Sequence, residues 1–300
     1  MQGLQEKIIE VPTGATGSEI AEILFDAGVI KSSQAFFGVA VADARSQKIA
    51  PGGHRLTVKI SAQQALEQLL DPERIPKLVK VNEGARKVEI QSSLKLYGFS
   101  EREIQTAFSR LKLPKGFTDS EGLLFPAQYS FVEGTSALSA AQEMIDRFMR
   151  EPIALELLEG KGKYSALALL TIASIVQAEG DISDFAKVSR VIYNRLAIGM
   201  PLQMDSTVHY VMKVRGDIFL SRDSTQLKSP YNTYLRYGVP PGPIGSPGSA
   251  AMEAALNPVV GDWLYFITVA PGDTRFTSNF EQFNTWKAIY IKNRKAGAFE

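Results

Sequence analysis

The stretch Ser165-Ala-Leu-Ala-Leu-Leu-Thr-Ile-Ala-Ser-Ile-Val-Gln177, followed by Ala178, Glu179 and Gly180, decides how the chain is read. Apolar residues run around every side of it, which predicts a helix buried in a core. Gly180 is a natural stop, because glycine accepts the left-handed conformation common just past a helix end. Glu179 then falls in the last turn, on the face of Ile172, Ile175 and Val176, at spacings that bring helical side chains together. Desolvation and the negative end of the helix macrodipole both oppose ionisation there. A carboxylic acid that keeps its proton near neutral pH is what a general acid requires. The competing reading is a terminal Glu that curls into solvent, and the neighbouring motifs have to separate the two.

Composition bounds the rest. With 300 residues, 45% of them hydrophobic and 22% charged, the chain has the make-up of a soluble globular protein with ample core, enough for two domains or one large one. A net charge of +1, from 33 basic and 32 acidic side chains, lacks the basic excess of a nucleic-acid binder, so no nucleic-acid partner is expected. Cysteine is absent, which excludes disulfides and thiolate metal sites, and His54 and His209 have no second histidine at ligand spacing. Neither a metal nor a cofactor is therefore expected. No run reaches the roughly 18 consecutive apolar residues of a membrane span. The start, Met1 to Lys7, lacks the basic and apolar regions of a signal peptide. Either the protein is cytosolic or an anchor precedes Met1.

An internal repeat organises the first half. Val11, Gly14, Ala15, Glu19 and Ile20 recur at a constant offset as Val81, Gly84, Ala85, Glu89 and Ile90. Each copy reads as a short strand, a Gly turn and an amphipathic helix (about 17–27 and 86–97). A second helix follows (about 33–45 and 101–110), then an extended stretch, His54 to Ile60 in one copy and Gln128 to Val132 in the other. Two copies fall short of a solenoid; the repeat is either a duplicated scaffold or a polymer-gripping arm. From Ser136 to Leu158 the pattern is helical. Glu159-Gly-Lys-Gly-Lys163 lacks the spacing of a phosphate-binding loop. After Glu179, Ser183 or Asp184 can cap a helix to about Leu196. The segment 199–248, rich in Pro, Gly, Tyr and Asn, reads as too polar for a core and too aromatic for a linker. Trp263 to Val269 is a strand candidate, and a helix from about Phe280 to Lys295 closes the chain.

Four clusters accompany Glu179. Leu202-Gln-Met-Asp-Ser-Thr-Val208 alternates Gln203, Asp205 and Thr207, with Asp205 or Ser206 able to cap the next helix. Ser229-Pro-Tyr-Asn-Thr-Tyr234 gathers Tyr231, Asn232, Thr233 and Tyr234. Gly238 to Gly248 is a turn-rich loop stiffened by proline, and Thr277-Ser-Asn279 follows the strand. Amides, hydroxyls and aromatic faces suit a sugar chain, whose rings offer hydroxyls and flat C–H surfaces. Gln203, Asn232 and Asn279 are candidates to hold N-acetyl or hydroxyl groups, and Tyr231 and Tyr234 to line a groove. Asp205 either positions the sugar or caps a helix.

Taken in order, Glu121-Gly-Leu-Leu-Phe-Pro126, Ala173-Ser-Ile-Val-Gln-Ala-Glu179, Val191-Ile-Tyr-Asn-Arg-Leu196, Leu202-Gln-Met-Asp-Ser-Thr207, Ser229-Pro-Tyr-Asn-Thr-Tyr234 and the Pro240–Gly248 loop resemble the endolytic murein transglycosylases, the YceG-like family, over nearly the whole chain. Gln282-Phe283-Asn284 departs from the family, which often has a His before the Asn. The family's catalytic glutamate maps onto Glu179. The resemblance implies an α+β protein with two tandem strand–helix–helix–strand modules, 1–76 (LysM-like) and 77–158, and a mainly helical catalytic domain with a small sheet, 159–300. It implies lytic cleavage of the β-1,4 bond between N-acetylmuramic acid and N-acetylglucosamine in peptidoglycan glycan strands, ending their growth. It further implies a single-pass anchor upstream, a place on the outer face of the cell membrane, and penicillin-binding wall synthases as partners. Rival readings are a non-catalytic peptidoglycan-binding scaffold and a hydrolytic muramidase using Asp205 or Asp181 as a second carboxylate. A serine hydrolase is disfavoured, for no G-x-S-x-G elbow is present.

Overall fold

Side-chain caps set the starts of several helices. Thr16 with Glu19, Ser61 with Gln64 and Ser100 with Glu103 form reciprocal capping boxes, satisfying N–H groups that a first turn leaves open. The computed structural model describes residues 5–12, 14–75, 78–131, 134–215, 220–221 and 223–299. In chain order the elements are β1 (Glu6–Val11), α1 (Gly17–Asp26), α2 (Ser33–Ala42), β2 (Gly52–Thr57), α3 (Ala62–Leu70), β3 (Leu78–Lys80), α4 (Lys87–Tyr97), α5 (Glu101–Phe108) and β4 (Gln128–Ser130). They continue with α6 (Ala137–Phe148), α7 (Pro152–Leu158), α8 (Ala166–Glu179), α9 (Phe185–Ala197), α10 (Asp205–Met212), α11 (Ser249–Leu256), β5 (Tyr265–Ala270), β6 (Asp273–Thr277) and α12 (Phe280–Lys295). The class is α+β: among the described residues the strands pair antiparallel as β1 with β2, β3 with β4 and β5 with β6. No helix of the described residues is long and apolar enough to cross a membrane.

The chain divides into two compact units. One comprises Met1–Val81, Gln91–Ser109 and Ala127–Ala140; the other comprises Asn82–Ile90, Arg110–Pro126 and Ala141–Glu300. Within the first, Ile9, Val11, Ile20, Leu24, Phe36, Leu56, Leu66 and Leu69 form one buried cluster beneath β1 and β2. The order strand, helix, helix, strand occurs twice, and the repeated glycines Gly14 and Gly84 both take positive φ, 77° and 73°. Glu19 and Glu89 play one local part as well, each accepting the backbone N–H three residues before it, from Thr16 and Arg86.

In the second unit α8 is the central helix, packed against α7, α9, α10 and α11. Every residue from Leu169 to Val176 is buried, and each large apolar side chain among them contributes roughly 1.5–3 kcal/mol by leaving water. Its two buried hydroxyls are satisfied: Thr171 donates to Leu167 O at 2.7 Å and Ser174 to Thr171 O at 2.8 Å.

Several expectations change. Gly180 is extended, φ −146° and ψ 171°, and what it supplies is space, since a Cβ there would lie 3.2 Å from Val188 Cγ2. The helical stretch 136–158 breaks ahead of Pro152, which starts α7. Asp184 precedes α9 without a side-chain capping bond. The extended runs are shorter than read, ending at Thr57 and Ser130, and Val132 lies outside the described residues. Segment 199–248 is not too polar to be core: Leu202, Asn232, Thr233, Ile244 and Ser246 are all buried, because its own Asn232 and Thr233 and the side chains of α8 and α9 satisfy its backbone. Helices α3 and α11 and strand β6 were not anticipated.

Candidate active site

Glu179 ends α8 half-buried, and its Oε1 accepts the backbone N–H of Ser206 at 2.9 Å. Ser206 lies in the first turn of α10, so the carboxyl stands between the negative end of one helix and the positive end of another. Burial is the largest influence and pushes the Glu179 pKa up, to about 7. The Ser206 N–H pulls it down, the Asp205 charge raises it, and Arg195 lowers it. The group can thus hold a proton at neutral pH and release it there.

Asp205 is not the cap of α10. It is the first helical residue, Met204 occupies the cap position, and neither makes a side-chain capping bond. Instead Asp205 Oδ1 accepts a short hydrogen bond from the Tyr234 hydroxyl. Burial, then the Asp205 charge, drives the Tyr234 pKa well above the ordinary phenol value, so Tyr234 remains the donor. Arg195, buried on α9, donates Nε to Leu264 O at 2.7 Å and its other arm to Leu202 O. It therefore ties the β5 approach and the start of the 202–208 segment to α9, and brings a cation toward Glu179.

The remaining candidates divide into exposed and structural groups. Gln203 is exposed with φ 50°, its N–H donating to Thr233 O at 3.1 Å. Thr207 and Thr233 are buried against each other at 2.9 Å. Thr207 donates to Met204 O and Thr233 accepts Met204 N, so the pair locks the loop to α10. Asn232 is wholly buried, donating to Thr225 O and Leu227 O and accepting Tyr234 N at 2.9 Å. Tyr231 packs on Tyr210 with ring centroids 5.0 Å apart. Asn279 caps α12, accepting Gln282 N at 2.9 Å, and among the described residues no hydrogen bond joins it to the Glu179 group. Gln282 accepts the Thr277 hydroxyl and Phe283 stacks on Tyr265.

Sequence reasoning missed Arg195, Ser206, Tyr210 and Glu121. Glu121, Arg195 and Ser206 all lie in the quoted motifs, and Glu121 carries a further signal as the acidic first residue of an otherwise apolar hexamer. Gln177 accepts Gly248 N at 2.9 Å, and Ser174 accepts Ile244 N at 3.0 Å. These two bonds bind the proline-rich loop to α8. On α9, Tyr193 and Asn194 donate to the backbone carbonyls of Ala255, Gly261 and Trp263, so the motif 191–196 is a clamp. Among the described residues no cluster of His, Cys, Asp and Glu could hold a metal.

A single acid, its pKa pushed up to about 7, thus stands at a helix end beside Asp205 and Tyr234 on an α+β scaffold. The model of the YceG-like family matches residues 9–288, and the chain belongs to that family. It is 31% identical to the endolytic murein transglycosylase of Bacillus subtilis, the match covering 95% of this chain and 85% of that protein. It is 36% identical to the endolytic murein transglycosylase of Streptococcus pneumoniae over 58% of this chain and 33% of the relative. A crystal structure of a YceG-like protein from Listeria monocytogenes superposes with a TM-score of 0.61 at 26% identity, covering 93% of this chain and 98% of that one.

Proposed function

We propose that the protein is an endolytic lytic transglycosylase of peptidoglycan, cleaving the β-1,4 bond between N-acetylmuramic acid and N-acetylglucosamine. Protonated Glu179 gives its proton to the glycosidic oxygen as the C1–O bond breaks toward an oxocarbenium-like state. The carboxylate then takes the proton of the muramyl C6 hydroxyl, whose oxygen bonds to C1 and closes a 1,6-anhydro ring. Water is not consumed, and Glu179 ends as it began. One group serving as acid and then base needs a pKa near the working pH; the position of Glu179, pushed up to about 7 by burial, is the observation that carries the reading. The names of the relatives support the same substrate.

Gln203, Tyr231 and Tyr234 are the binding residues we favour at the sugar, while Asn232, Thr207 and Thr233 shape the loop that presents them. Asn279 is retained as a binding candidate at the start of α12. Segments 1–76 and 77–158 are read as a LysM-like glycan-gripping arm and its repeat, and 159–300 as the catalytic part. The enzyme would act on the outer face of the membrane beside wall synthases and end nascent strands. A muramidase needs a second carboxylate to activate water, and the Tyr234 hydroxyl already occupies one oxygen of Asp205, which favours the lytic route.

The test is digestion of uncross-linked glycan with product masses recorded. Wild-type protein should give anhydro ends, lighter by one water than hydrolysed ends, and Glu179→Gln should lose about 10²–10⁴-fold in rate with glycan binding retained. Hydrolysed ends would establish the muramidase, and binding without new ends the scaffold.

A further inference from the structure

We infer that Glu121 is a positioning residue for Glu179, acting through Tyr210 and helix α10; this rests on the reading of Glu179 as the general acid. Glu121 is buried at 7% exposure, and both of its oxygens are engaged. Oε1 accepts Lys87 N, the first N–H of α4, at 2.9 Å, and Oε2 accepts the Tyr210 hydroxyl at 3.1 Å. Its own backbone is fixed on both sides. Glu121 N donates to Asp119 Oδ1 at 2.7 Å. Gly122 follows at φ 84°, where a Cβ would come within 2.6 Å of Pro243 and 3.2 Å of Leu170. Only glycine fits there, so the carboxyl is carried on a turn wedged between α8 and the proline-rich loop.

Tyr210 is four residues after Ser206, hence on the same face of α10 one turn along. Its ring packs on Tyr231 at 5.0 Å, with the Arg86 guanidinium over it at 5.3 Å. Helix α10 has eight residues, too short to hold its direction by its own hydrogen bonds. Thr207 anchors its first turn to Thr233, and Tyr210 anchors its next turn to Glu121. Ser206, next to the first tie and one turn before the second, aims its N–H at Glu179. Releasing the second tie frees the helix to rotate and shift along its axis, which takes that N–H out of line with the carboxyl. Glu179 then loses both its orientation and a donor that favours its charged form.

The charged and titratable groups around the two carboxyls have separate origins. Asp205, Arg195 and Tyr234 face Glu179; Lys87, Asp119, Arg86 and Tyr210 surround Glu121. The experiment uses the full chain with Tyr210→Phe, Glu121→Gln and the double variant, assayed on soluble glycan. Tyr210→Phe removes only the hydroxyl, so it remains informative if Glu121→Gln fails to fold. Expected are a kcat lower by roughly 10- to 100-fold, KM within about twofold, and an alkaline limb of kcat displaced to higher pH. The double variant should be no worse than the poorer single one, as for two members of one chain.

An unshifted limb in Tyr210→Phe, a loss confined to KM, or additive losses in the double variant would overturn the inference. Glu179→Gln, run beside them, separates the two failures. If it stays active, the general-acid reading falls; if it is dead while Tyr210→Phe keeps the wild-type limb, only the positioning role falls.

Discussion

The chemistry of Glu179 is set by a contest at a single oxygen. Burial and the Asp205 charge favour the protonated form, and the Ser206 N–H and the Arg195 charge favour the carboxylate, with burial the strongest. The balance makes a prediction with a definite sign. Asp205→Asn removes a charge that raises the Glu179 pKa, so the pKa falls and the proton is lost at lower pH. The alkaline limb of the pH–rate profile should therefore move to lower pH, with activity falling most steeply above pH 7. A pH series of initial rates on soluble glycan checks this; a limb that moves upward or not at all would show that Asp205 does not act on Glu179 through charge. Sequence exposed the acid itself, because a Glu ending an apolar helix is visible in one dimension. It could not expose Ser206, whose contribution is a backbone N–H that any residue but proline would supply.

Helix α10 and the 229–234 loop behave as one element. Asn232 satisfies the Thr225 and Leu227 carbonyls just ahead of the loop and the Tyr234 N–H within it, and Thr233 with Thr207 fastens it to the start of α10. An unsatisfied buried polar group costs about 1–3 kcal/mol, so Asn232→Ala should destabilise the protein by about 2–4 kcal/mol in urea unfolding and lower kcat through Tyr234 and Asp205. Unchanged stability would mean that water replaces the amide freely. In the sequence Asn232, Thr207 and Thr233 read as sugar-binding candidates because amides and hydroxyls suit sugars; in the fold the same atoms also hold the backbone and one another. Composition cannot distinguish these uses, since the hydrogen-bond partner is set only when the loop closes. The segment's Pro and Gly content likewise hides that it is buried, its polar backbone being satisfied partly by its own side chains and partly by those of α8 and α9.

At the scale of the whole molecule, the repeat and the apolar run were legible because hydrophobic periodicity survives in a linear chain. The strand–helix–helix–strand order of the two copies follows from it, and α8 from its unbroken apolar run. Helix α3 lies outside the repeated order, and α11 is a small-residue helix, Ser249-Ala-Ala-Met-Glu-Ala-Ala-Leu256, with little periodicity to read. The first unit also holds a cleft of about 580 Å³, lined by Pro12, Ala15, Phe36, Phe37, Val41 and Gln47 among others. If that module grips glycan, Phe37→Ala should reduce retention on insoluble peptidoglycan several-fold with kcat on short soluble glycan unchanged; equal retention in a sedimentation assay would assign the cleft no such part. The proposed chemistry turns on one proton. Its most direct test is a ¹³C NMR titration of the Glu179 carboxyl in the intact protein, assigned by its loss in Glu179→Gln. A midpoint near 7 is predicted, and a midpoint in the ordinary carboxylate range, about 4–5, would contradict it.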